Sequence, residues 1–238
     1  MLALSLFRHR MFALTALVGL LFNIAFYGLI FVLSLYFQKV NGWSPFATGL
    51  AFVPMMAMVL PANLVTASVS ERLGSPQTIA LACVITAAGC VALLPMASGT
   101  SYGAIGAQLM VLGGGLGLLV PSLTSTLLGS VEKSRSGIAA GVLNATRQTG
   151  SVLGVALFGS QVGGNNAFMT GAHASLVISA AVLLAGAFAI WHGRAKEERL
   201  DSPTIPAKVS SNIAKISTPE RAFKLRKPNE FVTFVAAV

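Results

Sequence analysis

MFALTALVGLLFNIAFYGLIFVLSLYFQ, residues 11–38, holds no Asp, Glu, Lys or Arg in 28 positions. An α-helix rises 1.5 Å per residue and a bilayer's hydrocarbon core is about 30 Å thick, so about 20 apolar residues cross it. Residues 40–70, 73–131 and 148–193 are equally free of these four charged types, and the second of these is long enough to cross twice. The whole chain agrees, with 238 residues of which 55% are hydrophobic and 10% charged, and a mean hydropathy of +0.77. A water-soluble domain carries about a quarter charged residues, so that class is excluded. Disorder of the whole chain needs low hydrophobicity, and the 24 glycines lack a collagen period.

Turn and charge signals divide the apolar stretches at Asn41-Gly42, Glu71-Arg72, Ser98-Gly99, Glu132-Lys133 and Gly163–Asn166. The expectation is an all-α integral membrane protein with six transmembrane helices at about 12–37, 47–69, 77–97, 103–129, 137–161 and 174–193. Residues 1–11 form a short segment before this 12–193 bundle, and 194–238 a tail expected to be disordered, with Pro203, Pro206, Pro219 and Pro228.

The net charge of +9 is a matter of topology once it is located. Residues 1–193 carry 7 Lys/Arg and 2 acids, and residues 194–238 carry 9 and 5. One set of connections holds Arg8, Arg10, Arg72, Lys133, Arg135, Arg194, Lys196 and Arg199, whereas the other holds Lys39. The positive-inside bias makes the first set cytoplasmic and, with six spans, places both termini there. Arg8-His9-Arg10 follows the apolar Met1–Leu6 rather than preceding it, the reverse of a secretory signal. No basic stripe with interleaved aromatics points to nucleic acid.

Motifs for catalysis are weak. Gly99–Gly103 spells G-x-S-x-G around Ser101, but in a short connection with His173 as the outer histidine and no outer acid. Gly113–Gly117 lacks the Lys-Ser/Thr of a phosphate loop and lies inside a span. Gly113, Gly117, Gly137, Gly141, Gly150 and Gly154 instead have the spacing of close helix packing. Cys83 and Cys90 read as inert buried thiols. His9, His173 and His192 are scattered without acids at metal-ligand spacing. The reading is no enzyme, no metal and no cofactor.

Three spans carry polar stripes. At 100° per residue Asn23, Tyr27, Ser34 and Gln38 share one face of the first, and Gln108, Gly115, Ser122 and Thr126 one face of the fourth, with a kink or break expected at Pro121. Asn144, Arg147, Gln148 and Ser151 cluster on the fifth. Lipid offers polar groups no partners, so such stripes face protein or a wet cavity. The two alternatives are interhelical hydrogen-bond glue and a shared polar cavity. Arg147 lies 12 residues beyond Arg135, about 18 Å along the helix and near mid-bilayer, where a charge is a functional-site hypothesis. No Asp or Glu lies within any expected span.

Leu35–Pro45 (LYFQKVNGWSP), followed by Thr48-Gly49-Leu50 and Val53-Pro54, resembles the outer loop and following helix of the fourteen-span drug:proton antiporters of the major facilitator superfamily, EmrB/QacA-type. Pro61 and Glu71–Gly74 are similar to the degenerate second copy of that family's cytoplasmic loop motif, with Ala67 for the family Gly and Glu71 for the Asp. Residues 137–150 resemble its late-helix signature, and Phe7–Phe12 the lead into the C-terminal half. The resemblance covers about residues 7–193 and implies one half of the fold, a 3+3 inverted repeat whose first and fourth helices line a central cavity. It implies a C-terminal half of a proton-coupled multidrug exporter in the bacterial cytoplasmic (inner) membrane, working with a missing N-terminal half that carries the coupling carboxylates. Hydrophobic or cationic drugs would be the substrates, and the proton gradient the energy source. Asn23, Tyr27, Gln38, Gln108, Asn144 and Gln148 would line the cavity, and Arg147 would gate or pair across the halves. Phe26, Phe31, Met55 and Met56 could supply an adaptable apolar wall. The alternative is a truncated, non-transporting membrane module that associates with a full-length transporter; a homodimer is a third arrangement.

Overall fold

The computed structural model describes residues 10–97, 99–163 and 168–200, and all regular structure among them is helical. The helices are α1 (Arg10–Leu35), α2 (Pro45–Ala51), α3 (Val53–Leu73), α4 (Ser75–Ala92), α5 (Tyr102–Gly129), α6 (Ser136–Gln161) and α7 (Phe168–Leu200). The bundle lies within Met1–Lys196, and the description below concerns it. The expected segment before Arg10 and most of the expected tail lie outside the described residues, while the backbone of α7 runs helical through Leu200 rather than stopping at 193.

Local chemistry sets the ends. α1 closes in a π-helical turn over Tyr36–Val40, with the Asn41 N–H donating to the Tyr36 carbonyl. Gly42 then takes φ +67°, a conformation that favours glycine. Ser44 caps α2, accepting from the Ala47 N–H at 3.2 Å, and Pro45 occupies the first turn where no N–H is needed. The second expected span is therefore two helices that meet at Phe52, just before Pro54. α4 ends at Ala92, earlier than expected, in a turn before Pro95, because the residue preceding a proline avoids the helical region. Pro121 does not break α5, which continues from Tyr102 to Gly129.

Five segments among the described residues are long and apolar enough to cross a membrane: Arg10–Val40, Pro45–Leu73, Ser75–Ala92, Tyr102–Gly129 and Phe168–Gly193. α6 is a helix of 26 residues, long enough, but it does not meet that apolarity. The reason is its composition, since Asn144, Arg147, Gln148 and Ser151 all sit in its middle.

Close contacts give the register. Leu20, Ile24 and Gly28 of α1 meet Gly150, Gly154 and Phe158 of α6 in ascending order, so these two helices run parallel. Met55 and Val59 of α3 meet Gly113 and Gly117 of α5, also in ascending order. Thr86 and Gly89 of α4 meet Gly115 and Leu112 of α5 in descending order, and so do Leu14 and Val18 of α1 with Gly193 and Gly186 of α7, so both pairs are antiparallel. Exchanging α1 with α5, α3 with α6 and α4 with α7 maps this set of contacts onto itself. The bundle is thus built as two three-helix units of opposite direction, the arrangement of an inverted repeat.

Candidate functional site

A cavity of about 310 Å³ opens at mid-bundle, within the range of small-molecule sites. It is walled by α1, α3, α5 and α6. Phe22, Phe26, Met56, Leu116 and Leu119 make most of the wall apolar. Asn23, Tyr27, Asn63, Thr124 and Arg147 add polar groups. A smaller cavity of about 150 Å³ is lined by Tyr27, Asn144, Arg147, Gln148 and Ser151. Tyr27 and Arg147 belong to both, so an apolar chamber and a polar recess share these two side chains.

Three polar side chains around the cavities are committed to their own helices. Thr124 donates to the Val120 carbonyl at 2.9 Å, Ser151 to Gln148 at 2.8 Å, and the Asn23 amide to Gly19 at 2.6 Å. Tyr27, Asn63, Asn144, Arg147 and Gln148 make no side-chain hydrogen bond or ion pair with the described residues. They are the uncommitted polar groups of the site.

The structure brings together Asn23, Tyr27, Asn144, Arg147 and Gln148, and separates Gln38 and Gln108 from them. Gln38 is exposed in the π-helical turn, eight residues beyond Ile30, where the α1 lining of the cavity ends, and so about 12 Å further along the axis. Gln108 is half-buried near the start of α5, away from both cavities. The α5 stripe it headed is a packing face. A Cβ at Gly115 would collide with Thr86 of α4, and buried Ser122 donates to Leu118 at 2.8 Å. The cavity face of α5 is Leu116, Leu119, Val120, Leu123 and Thr124, centred about 100° round the helix from Gly115. Asn63 and Thr124 were absent from the expectation. An amide at mid-span in α3 was the available signal for the first.

The apolar wall includes Phe26 and Met56. Met55 is buried against Gly113, and the Phe31 ring packs near Gly159. The packing glycines divide too. A Cβ would be unacceptable at Gly113 and Gly117 against α3, and at Gly150 and Gly154 against α1. Gly137 and Gly141 have nothing within 4 Å of an added Cβ, so they are not packing glycines in this bundle.

Remote from the cavity, the expected serine motif is structural. Ser101 sits at the N-terminus of α5, where its carbonyl accepts from Ala104 and Ile105. His173 is engaged with the Met96 carbonyl at 2.9 Å. Cys83 and Cys90 are free and buried in α4. Among the described residues no group of three His, Cys, Asp or Glu could hold a metal ion.

The sequence profile described as Major Facilitator Superfamily matches residues 2–155. The chain belongs to the major facilitator superfamily. Membership points to a membrane transporter rather than an enzyme, and the all-helical bundle is a partial fold of this superfamily. Among its relatives, the Methylenomycin A resistance protein of Streptomyces coelicolor is 31% identical over 200 residues, 84% of this chain and 42% of the relative. The Methylenomycin A resistance protein of Bacillus subtilis is 28% identical over 191 residues, 79% and 40%. The Multidrug resistance protein Stp of Mycobacterium tuberculosis is 28% identical over 160 residues, 67% and 30%. This major facilitator chain thus spans less than half the length of these relatives.

Proposed function

We propose that this chain is the C-terminal half of a fourteen-span, proton-coupled drug exporter of the EmrB/QacA type, in a bacterial cytoplasmic membrane with both termini inside. The observation that carries it is the mid-bundle cavity, apolar over most of its wall and polar at Tyr27, Asn63 and Arg147. Such a chamber suits hydrophobic small molecules of drug size. Relatives named for antibiotic and multidrug resistance support the same reading. Asn23, Tyr27, Asn144 and Gln148 would line the substrate path. Proton coupling would fall to a carboxylate on the partner half, since the acids among residues 10–193 are Glu71 and Glu132, one at the C-terminal end of α3 and one between α5 and α6.

The test is efflux of Nile red, a neutral hydrophobic dye, from energised vesicles. The chain is expressed alone and with the N-terminal half of a family exporter. Export that needs both halves and collapses with a protonophore supports the proposal. Export by the chain alone overturns the half-transporter reading. Failure in both arms favours the non-transporting module.

A further inference from the structure

The polar recess has a chemistry more specific than drug size. Resting on the reading of this cavity as a substrate site, we infer that it takes an amphipathic anion: a carboxylate or similar group on the Arg147 guanidinium, with an apolar body in the chamber of Phe22, Phe26 and Leu119.

Three observations carry this. First, Arg147 is the charged side chain lining either cavity, and it is half-buried. Second, among the described residues it has no ion pair and no hydrogen bond, so all five N–H groups of its fork are uncommitted. Third, the groups that share the recess with it, Tyr27, Asn144 and Gln148, can each donate a hydrogen bond, and none is spent on another described side chain. A planar guanidinium ringed by neutral donors at mid-span is matched by a planar anion held bidentately. A cation placed there meets an unpaired like charge at close range. The recess therefore discriminates by repulsion as well as attraction. Because Arg147 and Tyr27 also border the apolar chamber, the anion and its hydrophobic body are seated by one continuous site.

The test uses three probes of one shape: 2-naphthoate, neutral 2-naphthamide and 2-naphthylmethylammonium. Binding to the full chain in phosphatidylcholine nanodiscs is measured by equilibrium dialysis against empty discs. The naphthoate should bind about tenfold or more tighter than the amide, with the ammonium weakest. Arg147→Gln should bring naphthoate and amide to within about twofold, and Arg147→Lys should keep part of the preference. If Arg147→Gln does not fold, the ranking of probes on the unmodified chain and a partial loss in Tyr27→Phe still decide. Equal affinities, an ammonium preference or no binding above empty discs overturns the inference. Nile red export without naphthoate preference would sink the anion site and leave transport standing. Naphthoate preference without Nile red export would do the reverse.

Discussion

The α1–α6 and α3–α5 crossings are counterparts under the inverted repeat, yet they differ in chemistry. Both pairs are parallel, and both close on two glycines four residues apart, Gly150 and Gly154 in one and Gly113 and Gly117 in the other. Around the second crossing stand Met55, Val59 and Ala62, with Thr66 reaching the Gly117 carbonyl at 3.2 Å. Beside the first stand Asn23, Tyr27, Asn144, Arg147 and Gln148. Backbone approach through small residues thus builds the scaffold twice, while the polar groups are concentrated on one copy. The lesson is that helix packing and the lining of the polar recess are separable on the same helix. α6 presents Gly150 and Gly154 to α1 and keeps its amides and Arg147 for the recess.

The largest effect should come from breaking the shared scaffold. Gly154→Val and Gly117→Val each drive a side chain into a neighbouring backbone carbonyl or Cβ, so each should cost about 3 kcal/mol or more and abolish monodisperse elution in detergent. Gly141→Val, with open space around it, should elute like the unmodified chain. Equal damage at Gly141 would show that the glycine spacing, not the crossing, matters.

Next is the chemistry that separates the crossings. Arg147→Gln should remove most export by the assembled transporter, while Thr124→Val on the α5 wall should change it by no more than about twofold. A smaller effect is expected for Thr66→Val. It deletes the α3–α5 hydroxyl contact and should lower stability by about 0.6 kcal/mol, read as a small shift in thermal denaturation. The smallest is Ser101→Ala, expected to leave transport and fold unchanged. Labelling of Ser101 by a fluorophosphonate would contradict the reading of the motif as unreactive.

The helices were legible because an apolar run of span length has few other fates. Their ends were less so where backbone chemistry intervened, as at Pro95 and at the Phe52 junction before Pro54. Of the polar positions, those on α6 could be read because amides and an arginine cannot pack cheaply against lipid. Those on α5 could not. Gly115 is small and Ser122 bonds within its own helix, so both serve a packing face as readily as a wet one, and the buried Thr126 hydroxyl has no hydrogen-bond partner among the described residues. Gln38 shares the angular position of its stripe but lies too far along α1 to reach the cavity, a distance that the angle alone does not report. Asn63 shows the converse, a single amide in an apolar helix that outweighs a stripe of hydroxyls.

Cysteine accessibility tests the central claim most directly. With Cys83 and Cys90 replaced by Ala, Asn144→Cys on α6 and Ser122→Cys on α5 are treated in vesicles, open to both faces, with a small charged maleimide. The recess should admit water, so the cysteine at 144 should be labelled and the one at 122, packed within α5's buried face, should not. Labelling at 122 with protection at 144 would contradict the assignment of the polar site to the α1–α6 side.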